Sequence, residues 1–218
     1  MRLLAPSMLS ADFLHLADDV ACVNRNADLF HLDVMDGSFV PNLSYGFPIM
    51  EAIGKEAQLP LDVHLMIVHP EKYLERFVKA GAGMISFHLE AAWAAEDHPE
   101  ELLELIRSHG VKAGLVINPD IPVEKLYPYL ESCDFVMLMS VFAGFGGQKF
   151  IEATYDRVKM LKTEIDRRGL DCPIEIDGGV GASNVERLVE AGAEIFVAGS
   201  AYFKAEDREA FARQIRGL

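Results

Sequence analysis

Leu29-Phe30-His31-Leu32-Asp33-Val34-Met35-Asp36-Gly37 places an imidazole and a carboxylate two residues apart in an otherwise apolar run. Side chains alternate across an extended chain, so His31, Asp33 and Met35 share one face and Leu32 and Val34 the other. Apolar residues on both faces suit a strand of a parallel sheet, which is covered on both sides. A carboxylate taken out of water there costs several kcal/mol unless a partner or a metal compensates it. Asp33 therefore needs company, and the rest of the chain supplies it in the same pattern.

Short apolar runs of this kind recur at 3–9, 60–67, 84–89, 112–118, 134–141, 173–177 and 194–199, beside the one at 29–34. Between them lie stretches with apolar residues at helical spacing: 12–26, 47–56, 70–78, 99–109, 123–131, 153–168, 184–191 and 208–217. Pro70-Glu71 suits a first helical turn. Glycines 81, 110, 169 and 192 stand where helices turn back into strands, a position that favours positive φ. Eight βα units without a composition break predict one closed (β/α)8 barrel over residues 1–218; an open doubly wound sheet is the alternative.

Composition narrows the function. The 218 residues are 50% hydrophobic, enough for one large core. Lys and Arg number 20 against 34 Asp and Glu, a net charge of −14, which argues against nucleic acid and anionic membrane surfaces. An anionic small molecule would need a locally positive site, from backbone amides or a bound cation. Cys22, Cys133 and Cys172 form no paired motif and fit buried thiols in a reducing compartment. No secretory leader pattern or long apolar span is legible, so a cytoplasmic location is expected.

Barrel enzymes carry their chemistry at the C-terminal strand ends. Leu61-Asp62-Val63-His64-Leu65-Met66 sets Asp62, His64 and Met66 on one face, and Ile174-Glu175-Ile176-Asp177 does the same for Glu175 and Asp177. Taken singly, a strand His is explained by core hydrogen bonding and a strand Asp by capping. His31, Asp33, His64 and Asp177 share strand phase and strand end, however, and together make a donor set for Zn²⁺, Mn²⁺, Co²⁺ or Fe²⁺. His88 and Glu90 fit the same phase; a structural role is the simpler reading, with support of the metal ligands or contact with substrate the other. Met35, Met66 and Met139 fall on the polar face and would exclude water beside the reactive centre. Glycine-rich turns at Gly144-Phe145-Gly146-Gly147, Gly178-Gly179 and Gly199-Ser200 follow the late strands, where barrel phosphate sites are built.

Through most of its length the chain resembles the ribulose-phosphate 3-epimerase family. The resemblance is carried by Ser7-Met8-Leu9-Ser10-Ala11-Asp12-Phe13, by His31 to Asn42, by Asp62-Val63-His64-Leu65-Met66, and by Gly144-Phe145-Gly146-Gly147-Gln148-Lys149-Phe150. Asp177-Gly178-Gly179 and Gly199-Ser200-Ala201 complete it. It implies a barrel of the ribulose-phosphate binding type and one divalent metal on His31, Asp33, His64 and Asp177. Asp33 would be the proton acceptor and Asp177 the donor. Ser10, His64, Gly144, Phe145, Gly146, Gly147, Gly178, Gly179, Gly199 and Ser200 would contact substrate.

The implied activity is interconversion of ribulose 5-phosphate and xylulose 5-phosphate through an enediolate, in the pentose phosphate pathway. A 3-epimerase of a related ketose phosphate such as allulose 6-phosphate is the alternative. A phosphate-binding barrel without chemistry would explain the glycine turns but not two carboxylates beside two histidines. A homo-oligomer is the expected assembly. One departure stands out: the family usually has Pro-Gly before the Phe of the glycine loop, and here the chain reads Val141-Phe142-Ala143-Gly144. Without that proline the loop is expected to be less pre-organised.

Overall fold

A computed structural model describes residues 2–95 and 98–218. Eight parallel strands form one sheet: β1 (Leu3–Pro6), β2 (Phe30–Met35), β3 (Leu61–Met66), β4 (Ala82–His88), β5 (Lys112–Ile117), β6 (Phe135–Met139), β7 (Ile174–Asp177) and β8 (Ile195–Ala198). Each pairs with its sequence neighbour from β2 through β8, and β8 pairs with β1. The sheet curls until Ser7, just past β1, bridges to His31 of β2, bringing the two ends together. The fold is the (β/α)8 barrel expected from the alternating pattern.

Helices α1 (Leu16–Asn26), α2 (Phe47–Glu56), α3 (Leu74–Lys79), α4 (Leu89–Ala94), α5 (Pro99–Ser108), α6 (Thr154–Arg168), α7 (Val185–Ala191), α8 (Ser200–Phe203) and α9 (Arg208–Arg216) accompany the strands. Strand alternation divides the core in two. Phe30, Leu32, Leu61, Val63, Leu65, Ile85, Leu115, Val136 and Ile176 point outward into the large apolar cluster shared with the helices. Inside the barrel, Ala5, Leu29, Met84, Phe135, Ile195 and Val197 close the bottom as a separate cluster. Above that plug, inward polar residues of β2, β3 and β7 sit beside methionines and valines, and together they form the site.

Some elements differ from expectation. The stretch 123–131 folds as two 3₁₀ turns, Val123–Lys125 and Tyr127–Ser132. Pro128 has no N–H to donate to a preceding turn, so an α-helix cannot run through it. The first helix begins at Leu16 rather than at residue 12. Asp12 carboxylate accepts from Leu14 N–H and Asp19 carboxylate from Asp12 N–H, which holds the preceding residues in a turn. The short helices α4 and α8 lie outside the expected set. Among the described residues, no helix is long and apolar enough to cross a membrane.

Close approach fixes one glycine. A Cβ on Gly54 of α2 would stand 2.2 Å from the carbonyl oxygen of Ala80, which follows α3. Gly54→Ala should destabilise the protein by about 1–3 kcal/mol through overpacking. Thermal melting should show a fall of roughly 3–10 °C at this chain length.

Candidate metal centre and active site

β2 and β3 are in register with His31 beside Asp62 and Asp33 beside His64, while β6 and β7 set Met139 beside Asp177. The strands thus stack inward side chains in two polar tiers. The lower holds His31, Asp62 and Glu175, all fully buried. The upper holds Asp33, His64 and Asp177 at the barrel mouth. The four residues singled out from strand phase converge: one donor atom from each of His31, Asp33, His64 and Asp177 lies within 4.8 Å of the others.

The donor set suits a cation. His31 Nδ1 is 2.6 Å from Asp62 Oδ2, while His31 Nε2 is buried without a hydrogen-bond partner. Its lone pair is thus free to face the cluster once Nδ1 holds the proton. Asp33 Oδ1 is 3.4 Å from His31 Nε2 and 3.2 Å from His64 Nδ1, and Asp177 Oδ2 is 3.7 Å from that same His64 nitrogen. Four donors around one ion at bond lengths of about 2.1 Å are spaced by about 3.4 Å, the edge of a tetrahedron. Asp62 behind His31 supplies the outer carboxylate that orients a ligating imidazole.

The carboxyls are strongly polarised against each other. Burial opposes charge on Asp33, but the nearby positive charge of His31 and the hydrogen bond from His64 outweigh it and hold its carboxyl well below the usual range. Burial and then the charge of Asp33 push Asp177 up to about 7. Burial also works against a charged His31, yet the Asp62 and Asp33 carboxylates hold it well above its ordinary value. Glu175 is driven well above the carboxylate range by burial and by Asp62. Without a metal, a proton on His31 is what balances these acids; a cation at Nε2 would take over that task.

A cavity of about 500 Å³ opens above the cluster. Asp33 and Asp177 reach its floor, Met35, Met66 and Met139 line its lower wall, and the late-strand turns form its rim. Ser10, Gly144, Phe145, Gly146, Gly147, Gly178, Gly179, Gly199 and Ser200 all line it, while His64 is fully buried outside that lining. Gly178 has φ +118, and a Cβ there would meet Val141 Cγ2 at 2.5 Å, so the rim needs glycine at that point.

Among the lining residues outside the expected set, Ser7 touches the acid pair directly. Ser7 Oγ donates to Asp33 Oδ2 at 2.5 Å. Only its place directly after a strand end, where barrels build their sites, could have pointed to it.

The glycine loop is also better held than its missing proline suggests. Gln148 Nε2 donates to the carbonyls of Phe142 (2.7 Å) and Phe145 (2.8 Å), and Asn42 Nδ2 to that of Gly144 (2.7 Å). Ala143 N–H donates to Asn118 Oδ1 at 3.0 Å, a bond that proline could not make.

Residues 3–203 match the signature of the Ribulose-phosphate 3 epimerase family. Ribulose-phosphate 3-epimerase of Aquifex aeolicus is 45% identical over 219 residues, covering 100% of this chain and 97% of that protein. The chain belongs to the ribulose-phosphate 3-epimerase family. The Bacillus subtilis ribulose-phosphate 3-epimerase is likewise 45% identical, across 98% of this chain and 97% of its own length. Among solved structures, a tryptophan synthase α-subunit variant from Pyrococcus furiosus superposes with a TM-score of 0.73 at 17% identity, covering 99% of this chain and 98% of the other. A 3-hexulose-6-phosphate synthase does so at 0.64 and 16%, covering 99% and 98%. At such identities these two speak for the barrel alone.

As a member of the epimerase family, the chain is an isomerase, and Ser7 gains a specific expectation. A hydrogen bond to an ionised group contributes about 1.5–3 kcal/mol. Ser7→Ala should therefore lower kcat of the epimerase about tenfold to hundredfold, with an unchanged circular dichroism spectrum. Steady-state kinetics beside that spectrum checks it.

Proposed function

We propose that this epimerase interconverts ribulose 5-phosphate and xylulose 5-phosphate by moving a proton at C3, with Asp33 as base and Asp177 as acid. The observation that carries the reading is the placement of these two carboxyls. They sit on β2 and β7, both within 3.7 Å of His64 Nδ1, with opposite proton affinities and a shared opening to one cavity. Inversion at a carbon needs proton removal from one face and delivery to the other, so two such groups must flank it.

In the direction that begins at Asp33, that carboxylate takes the C3 proton while Ser7 and the two imidazoles hold it in place. Asp177, poised near neutrality by burial and by Asp33, returns a proton from the opposite side. The reverse reaction exchanges the two roles. Met35, Met66 and Met139 keep water from the carbon, which protects the intermediate and strengthens local electrostatics. Backbone amides of the Gly144–Gly147 loop, Gly178, Gly179, Gly199 and Ser200 line the rim and suit phosphate oxygens. A divalent cation on His31, Asp33, His64 and Asp177 would supply positive charge against the developing enediolate.

A coupled assay with ribulose 5-phosphate and allulose 6-phosphate tests the reading. The pentose phosphate should be turned over with the higher kcat/KM. Preference for the hexose phosphate, or turnover of neither, would contradict it.

A further inference from the structure

We propose, on the reading that a cation sits among His31, Asp33, His64 and Asp177, that His88 is a positioning residue for His64. We further infer that Glu90 and Asn118 behind it tie that imidazole to the glycine loop.

The argument begins with the two nitrogens of His64. Nδ1 faces Asp33 and Asp177, and Nε2 lies 2.9 Å from Nε2 of His88. Both histidines are fully buried, their ring centres are 5.1 Å apart, and their planes differ by 24°. Two imidazole nitrogens at that distance share one proton: one ring donates and the other accepts. If His64 is to offer a lone pair from Nδ1, its proton must sit on Nε2, and His88 Nε2 must accept it. The proton of His88 then lies on its own Nδ1.

That Nδ1 faces two groups, Asn118 Nδ2 at 3.5 Å and Glu90 Oε1 at 3.7 Å. The Asn118 amide is a donor, itself directed at Glu90 Oε1 at 2.9 Å, so it cannot receive the His88 proton. Glu90 Oε1, at 3.7 Å, is too far for a direct hydrogen bond, but it is the carboxylate facing that nitrogen and acts on its proton through charge. Its negative charge favours the His88 tautomer that leaves His64 Nδ1 bare. Phe39 packs on His88 with ring centres 4.8 Å apart, restricting the ring from the other side.

Glu90 also fixes Asn118. Its Oε1 accepts from both Asn118 N–H and the Asn118 side chain, each at 2.9 Å. Asn118 Oδ1 accepts from Ala143 N–H at 3.0 Å, the residue that opens the Gly144–Gly147 loop. A single carboxylate thus orients the imidazole below and the loop above. None of His88, Glu90 and Asn118 lines the cavity.

Zn²⁺ affinity, measured by competition with a chromophoric chelator, tests this without relying on turnover. Loss of an outer-shell partner typically weakens metal binding 10–100-fold. His88→Leu should show a loss of that order, and His88→Gln, whose amide oxygen can accept the His64 proton, should recover to within about threefold of wild type. Glu90→Gln keeps the shape and removes the charge, so it should fall between them. The His88→Leu/Glu90→Gln double variant should be no worse than His88→Leu, because the two act as one unit. Asn118→Leu should weaken Zn²⁺ binding and raise KM for ribulose 5-phosphate together.

Wild-type affinity in His88→Leu would overturn the proposal while leaving the cation reading intact. If that variant does not fold, Glu90→Gln decides alone, with unchanged affinity overturning the proposal. An unchanged Zn²⁺ affinity in Asn118→Leu would overturn the link to the loop. A wild-type protein that binds no Zn²⁺, Mn²⁺, Co²⁺ or Fe²⁺ would overturn the cation reading and the proposal with it.

Discussion

Asp177→Asn and Asp33→Asn should each cut kcat by about 10²–10⁴, the contribution of general acid–base catalysis, because among the described residues that line the cavity no other acid is there to substitute. Asparagine matches the shape of aspartate but exchanges no proton at neutral pH. The loss should therefore come without unfolding, and circular dichroism should be unchanged. Stability gives a second readout with a definite sign. The folded-state value of Asp177 is raised from 3.8 to about 7, so its contribution is fully present below 3.8 and is lost as pH rises through about 7. Metal-free Asp177→Asn lacks that loss. It should melt higher than the metal-free wild type at pH 8, and the two should converge near pH 4.

Stripping the protein with a chelator should abolish turnover and lower the melting temperature, and divalent metal should restore both. Asp33, Asp62, Glu175 and Asp177 gather around His31, and all but Asp177 are buried. A ligand present at a hundred times its Kd stabilises the folded state by about 2.7 kcal/mol. For a chain of this length that corresponds to roughly 5–10 °C in Tm. Full activity after exhaustive chelation would remove the cation from the account. The acid pair would then have to act with His31 as the sole positive charge.

The parts of the structure that were legible in the sequence follow a simple period. His31-Leu32-Asp33, Asp62-Val63-His64 and Glu175-Ile176-Asp177 each alternate polar and apolar residues, and each places its polar members inside the barrel. Strand phase is therefore enough to single out the four cluster residues. Phase along one strand says nothing of the offset between neighbouring strands, so the sequence sets His88 and Glu90 in phase with the site without naming His64 as the partner of His88. Ser7 escaped for a related reason: β1 ends at Pro6, and the bridge that closes the barrel carries Ser7 over Asp33. The 3₁₀ turn Tyr127–Ser132 shows the opposite failure, helical spacing of apolar residues overridden by one proline. The missing proline before Gly144 predicted a looser loop, but the amide it freed is bonded to Asn118.

The central claim is that two carboxyls address one carbon from opposite faces. It is tested most directly by incubating each asparagine variant in D₂O with ribulose 5-phosphate and, separately, with xylulose 5-phosphate, and following deuterium at C3 by NMR. With only one acid–base group left, each variant should exchange the C3 proton of a single epimer without inverting it, and the two variants should choose opposite epimers. Exchange of both epimers by one variant, or of the same epimer by both, would contradict the account.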